Sequence, residues 1–163
     1  MNRGLVIADS GAIFSLAIVQ KLDLLNKLFD SVRIPFAVWQ EITLNKTNEI
    51  YPDIKSFFEN KVEKISSFNE LTFVMDYGES ESVILYKELD AQYLLIDDKK
   101  ARELAENFGL NCIGTLGLLI LAKKEKHIHE LKPIFEEFIA RNRYYSKKLL
   151  NSILKTMKEE EFE

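Results

Sequence analysis

Leu5-Val6-Ile7-Ala8-Asp9-Ser10-Gly11 is the stretch on which the fold turns. Four apolar residues in a row, without polar alternation, read as a strand buried on both faces, and the acid, serine and glycine behind them read as the turn that closes it. Strands of this kind belong to parallel sheets covered by helices on both sides. The pattern returns at Tyr93-Leu94-Leu95-Ile96, closed again by acid at Asp97-Asp98.

Working outward, the spacing of Ile13, Leu16, Ala17 and Val19, continued through Leu22, Leu24, Leu25, Leu28 and Phe29, predicts helix with a break near Asp23. Val32 to Ile34 reads as strand, because Pro35 biases its predecessor towards extended backbone. Pro35 then opens a helix over Phe36 to Leu44. Tyr51 to Lys61 fits an amphipathic helix, Val62 to Ile65 a strand, and Gly78-Glu79 the start of a helix that runs to Leu89. A helix over Lys100 to Asn107 stops at Gly109, and Asn111 to Ile113 supplies the last strand before Gly114-Thr115-Leu116-Gly117. The remainder is helical in character. Short apolar strands alternating with helices predict an α/β layer architecture, residues 1–157 as one domain and 158–163 as an acidic C-terminal tail.

Length and composition agree. A chain of 163 residues, 47% hydrophobic and 29% charged with 3 Pro, is one globular domain rather than a disordered or fibrous chain. The single Cys112 excludes an internal disulfide and, with only two His, a zinc site built from several Cys. A reducing, cytoplasmic location is the expectation. Leu5 to Ala8 is cut by Asp9 far too early for a signal peptide or membrane span.

In parallel α/β folds, ligands bind outside the carboxyl ends of the strands. Asp9, Asp97 and Asp98 stand there, and Glu41 and Glu79 likewise lie beside apolar residues rather than in charged runs. Each has a structural reading: Asp9 and Asp97-Asp98 as turn or N-cap residues, Glu41 as a solvated helix residue, Glu79 and Glu81 as first-turn acids that complement the helix dipole. Converging in one cleft, however, they could not all stay ionised without a cation, and oxygen donors suit Mg²⁺ or Mn²⁺.

Five motifs in order resemble those of the PIN domain: Asp9-Ser10; Pro35-Phe36-Ala37-Val38-Trp39-Gln40-Glu41; Gly78-Glu79-Ser80-Glu81; Leu95-Ile96-Asp97-Asp98-Lys99-Lys100-Ala101-Arg102; and Gly114-Thr115-Leu116-Gly117. The resemblance runs from Leu5 to about Leu154 and is nearest to a branch similar to toxins of VapC type. It implies a three-layer α/β/α fold on a mainly parallel sheet of four to five strands. It also implies a metal-dependent endoribonuclease whose acids are Asp9, Glu41, Glu79 and either Asp97 or Asp98. Glu stands at 79 where many members carry Asp. The resemblance further implies a homodimer, an RNA substrate, no membrane, and an antitoxin partner if the chain is the toxin of a toxin–antitoxin pair.

Hydrolysis of a phosphodiester needs an activated water and charge stabilisation, which bound Mg²⁺ or Mn²⁺ can supply. Asp9, Glu41, Glu79 and Asp97 would hold it, Asp98 would ligate or orient, and Ser10 and Thr115 would support the acids. Lys99, Lys100 and Arg102 beside the cleft, and Arg141, Arg143, Lys147 and Lys148 farther on, are the candidate phosphate contacts, with Tyr144 and Tyr145 as stacking surface. His127 and His129 read as surface residues. Removing five site acids from a net charge of −4 leaves +1, so the acidic balance does not argue against RNA. Two other readings stand beside this one: a PIN-fold module that binds without cleaving, and a phospho-acceptor switch centred on Asp9. The second fits poorly, because Gly11 stands where a dehalogenase-type pattern wants a second acid.

Overall fold

The computed structural model describes residues 3–163. Leu5–Ala8 forms β1, Ser31–Pro35 β2, Val62–Glu63 β3, Tyr93–Leu95 β4 and Cys112–Ile113 β5. They make one sheet in the order β3-β2-β1-β4-β5, every neighbouring pair parallel. The chain therefore winds outward from β1 through β2 to β3, then returns to the other side of β1 for β4 and β5. The winding reverses between β1 and β4, and a crevice at the carboxyl ends of those two strands is the expected ligand position. Ala8 pairs with Leu95, and the Asp9 N–H donates to the Leu95 carbonyl at 2.9 Å. Asp9 and Asp97 thus leave adjacent strands at nearly the same level.

The apolar run of β1 is continuous because both faces are covered. Val6 and Ala8 join the larger core cluster and Ile7 the smaller one, while Leu95 faces the first and Leu94 and Ile96 the second. The larger cluster takes in α1 (Ser10–Ile18), α2 (Leu24–Leu28), α4 (Tyr51–Phe58), α7 (Thr115–Lys124), α8 (Lys132–Ala140) and α9 (Lys147–Thr156). The smaller cluster is built on α5 (Tyr77–Glu88) and α6 (Lys99–Asn107). Helix α3 (Phe36–Ile42) packs on both α1 and α5. The result is the three-layer α/β/α arrangement. Leu16, Leu24 and Leu28 are fully enclosed in the core, which leaves none of them for a subunit interface.

The helix boundaries follow local chemistry. The break foreseen near Asp23 begins earlier, at Gln20, whose φ of 55° ends α1. Helix α5 starts at Tyr77, because Asp76 caps it: Asp76 Oδ1 accepts from the Glu79 N–H and Glu79 Oε2 from the Asp76 N–H. Asp98 and Ser146 cap α6 and α9 by accepting from the Ala101 and Leu149 N–H groups, each cap being worth about 1 kcal/mol. The third strand is shorter than Val62 to Ile65, pairing only at Val62 and Glu63 on the sheet edge. Residues 158–163 are not a free tail. Glu159 pairs with Lys123 and accepts from the N–H groups of Leu131 and Lys132 at the start of α8, while Phe162 exchanges hydrogen bonds with Asn151. Among the described residues no helix is long and apolar enough to cross a membrane.

Candidate active site

Asp9 ends β1 and occupies the N-cap position of α1, yet its side chain makes no cap hydrogen bond. It is 6% exposed, and its Oδ1 is buried without a partner. Burial pushes its carboxyl well above the usual range, and the charges of Glu41, Glu79 and Asp76 add to that; the Ser10 backbone N–H opposes them. Orphaned buried oxygens are rare because they are costly. This one lies at the reversal of the sheet.

Glu41 reaches the same place from the last turn of α3. The Ser10 hydroxyl donates to its Oε2 at 2.7 Å. Its other oxygen lies against the start of α5, so close to Gly78 that a Cβ there would stand 2.0 Å from it. Desolvation raises the Glu41 carboxyl and Asp76 adds to the rise, while the Ser10 hydroxyl and the Gly78 backbone N–H lower it. Gly78 is therefore the residue that admits Glu41 to the helix N-terminus. Glu79, one residue on, is pushed up to about 7 by burial first and then by the charges of Asp76, Asp98 and Glu41. Its link to the Asp76 N–H only partly offsets that.

The last two acids divide their tasks. Asp97 Oδ1 accepts from the Thr115 N–H at 2.7 Å, and Oδ2 lies 2.8 Å from the Thr115 hydroxyl, 2.8 Å from the Tyr144 hydroxyl and 2.6 Å from the Tyr145 hydroxyl. Burial and the Asp97 charge hold both phenols protonated, pushing them above their ordinary range. Asp98 is exposed and offers one oxygen to the Ala101 N–H at 2.8 Å. Asp97 is thus the better satisfied of the pair, and Asp98 keeps the freer oxygen.

Asp9, Glu79, Asp97 and Asp98 line one cleft of about 370 Å³ with Ser10 and Lys99. Glu41 does not line it but lies close enough to repel Asp9 and Glu79. All the donors are carboxylate oxygens, and the orphaned Oδ1 of Asp9 is the atom a hard divalent cation would satisfy, so the residues fit Mg²⁺ or Mn²⁺ in kind. Among the described residues, as placed, no three such side chains close round a single point.

This geometry stands on a fold that a family model also matches: DUF3368, described as a PIN domain, covers residues 5–159. The chain belongs to the PIN-domain family. No curated protein matches it. The PIN fold is a nuclease-type fold, and in this PIN domain four of the acids expected from the sequence, Asp9, Glu79, Asp97 and Asp98, line one cleft where the winding reverses.

Asp76 was the acid not singled out from the sequence. Its signal was the Asp-x-x-Glu spacing to Glu79, which marks a capping box. Tyr144 and Tyr145, expected as stacking surface, instead bind Asp97; no local pattern could reveal this across 47 and 48 residues. Glu81 is buried and accepts the Ala37 N–H at 3.2 Å, so it fastens α5 to the start of α3, the helix that carries Glu41. The basic residues also sort themselves. Lys99 borders the cleft and Lys100 a neighbouring hollow, both exposed, whereas Arg102 is half-buried. Arg141 pairs with Glu49 and Glu137, Arg143 donates to the Gly11 carbonyl and the Ser15 hydroxyl, and Lys147 reaches the Glu163 main-chain oxygen. Three of that second basic group are thus engaged within the protein, and Lys148 is exposed. His127 and His129 are exposed beside a different groove.

Proposed function

We propose that this PIN domain is an Mg²⁺- or Mn²⁺-dependent endoribonuclease. The observation that carries the reading is Asp9: a buried carboxylate with an unpartnered oxygen, at the reversal of a parallel sheet, near two further acids, Glu41 and Glu79, whose carboxyls burial raises. Asp9, Glu41, Glu79 and Asp98 would hold the ion, directly or through water. Asp97 would act from behind, fixed by Thr115 and the two tyrosines, and so keep Asp98 and the start of α7 in place. When bound, the ion supplies positive charge for the phosphate and an acidified water. Ser10 orients Glu41, and Lys99 at the cleft edge meets a phosphate oxygen.

The resemblance of the five motifs to the VapC branch would make the domain a toxin, with a homodimer and an antitoxin as the partners it implies, acting in the cytoplasm. Arrest of growth on expression, abolished by Asp9→Asn, is the expected sign of that role. A binding module without cleavage is the second reading, and the open spacing of the acids favours it. The deciding experiment is cleavage of single-stranded RNA with Mg²⁺ or Mn²⁺, repeated with EDTA and with Asp9→Asn. Cleavage that survives both would sink the metal-nuclease reading, and RNA binding without cleavage would establish the second.

A further inference from the structure

The segment Phe68–Tyr77 gathers apolar surface beside the cleft. Phe68 is 84% exposed, Phe73 90%, Tyr77 62%, and Val74 more than half. Scattered apolar residues on a surface are ordinary, but a group of them at the mouth of a polar cleft marks a contact. Phe73 and Val74 line a hollow of about 350 Å³ together with Lys100, Asp76, Glu79 and Asp98. Those three acids also face the first cleft, so the two hollows adjoin.

A hollow that sets a free aromatic ring beside a lysine and a carboxylate cleft suits a flat ligand whose negative charge Lys100 and a cation held by the acids would meet. A nucleotide meets both demands. An apolar protein face does not, because it would strip water from Lys100 and the acids and leave them unpaired. Tyr144, the exposed ring on the first cleft, is already engaged: the Arg143 guanidinium covers it at 4.6 Å and its hydroxyl is held by Asp97. Phe73 is the exposed ring that lines the second hollow.

We propose that Phe73, with Val74 beside it, is a stacking platform for an unpaired base next to the scissile phosphate, with Lys100 meeting the adjoining phosphate. The inference rests on the ribonuclease reading and deepens it, for it names the ring on which a base of the substrate stacks. Bases in a duplex already stack on their neighbours, whereas each base of a single strand can offer a face.

The test is equilibrium binding of one fluorescent RNA, single-stranded and annealed to its complement, to the protein with its site acids intact, in Ca²⁺ in place of Mg²⁺ to keep the RNA whole. The expected result is tighter binding of the single strand. Phe73→Ala should weaken it roughly five- to a hundredfold, Phe73→Trp should restore it and Phe73→Leu should not, with duplex binding unmoved. Because Phe73 lies outside the core, these variants keep the fold. Unchanged single-strand affinity in Phe73→Ala overturns the platform, as does full rescue by Leu, which would make the contact merely apolar. Self-association of the protein that Phe73→Ala abolishes, with RNA affinity unchanged, would reassign the patch to a contact between copies of the chain. If the parent protein binds and cleaves RNA, such a failure falls on the platform alone; if it binds no RNA, the ribonuclease reading falls with it.

Discussion

The Tyr145 hydroxyl sits 2.6 Å from Asp97 Oδ2 and 2.8 Å from Ser15 Oγ, joining the C-terminal segment to both the end of β4 and the first helix. Its single proton goes to the carboxylate, so its oxygen accepts the serine's proton, and Ser15 in turn accepts from Arg143. A chain of donors from Arg143 through Ser15 and Tyr145 therefore ends on an acid of the cleft.

Tyr145→Phe removes the middle link while keeping the ring against Phe138. A hydrogen bond to a buried charged group is worth about 1.5–3 kcal/mol, and roughly 2–4 °C of Tm accompanies each kcal/mol at this size. Thermal unfolding should show a loss of several degrees. RNA cleavage should fall without vanishing, because Thr115 and Tyr144 still hold Asp97.

Asp9→Asn should separate stability from function. Removing a buried, unpartnered negative charge should raise Tm by several degrees in EDTA, while RNA cleavage disappears. Added Mg²⁺ should raise the Tm of the wild type by mass action and leave that of the variant nearly unmoved. A fall in Tm of the variant in EDTA would mean that the carboxylate is better compensated than its geometry indicates.

Gly78→Ala ought to stabilise a helix on propensity alone, by about 1 kcal/mol. Here the new Cβ would meet Glu41 Oε1 at 2.0 Å, so the acid must leave. Metal affinity, followed by calorimetry, should drop at least roughly tenfold, as for loss of a ligand-orienting contact. Gly117→Ala is the control. A Cβ there makes ordinary contact at 3.5 Å with Ile113, and the gain in helix propensity should appear as higher Tm with unchanged metal affinity.

Glu79 sets a pH dependence in the absence of metal. Its carboxyl is raised from 4.5 to about 7, so the folded state binds more protons than the unfolded between those values. Its contribution is complete below pH 4.5 and is lost as pH rises through 7, so stability should decline across that window. Glu79→Gln should flatten the decline measured by denaturant unfolding in EDTA, and saturating Mg²⁺ should do the same in the wild type.

Much of this site was legible because its signals are local. The acids Asp9 and Asp97-Asp98 follow short apolar runs, and those runs became β1 and β4; Glu41 and Glu79 sit at helix positions that the proline and glycine punctuation had marked. Asp76 escaped notice because a capping box serves the helix whether or not a site lies beside it. Which of Asp97 and Asp98 meets Tyr144 and Tyr145 was not legible at all, because that meeting depends on how α7, α8 and α9 pack on the sheet.

The sequence by itself determined the alternation of strands and helices and the strand ends that carry acid, since periodicity and turn chemistry act within a few residues, and its five ordered motifs carried the resemblance to PIN domains. Only the tertiary structure decided the strand order that reverses between β1 and β4, the closeness of Gly78 to Glu41, the work of the C-terminal tyrosines and the exposure of Phe73. Those relationships join segments tens of residues apart, and the burial of a shared core, which no local pattern encodes, brings them together.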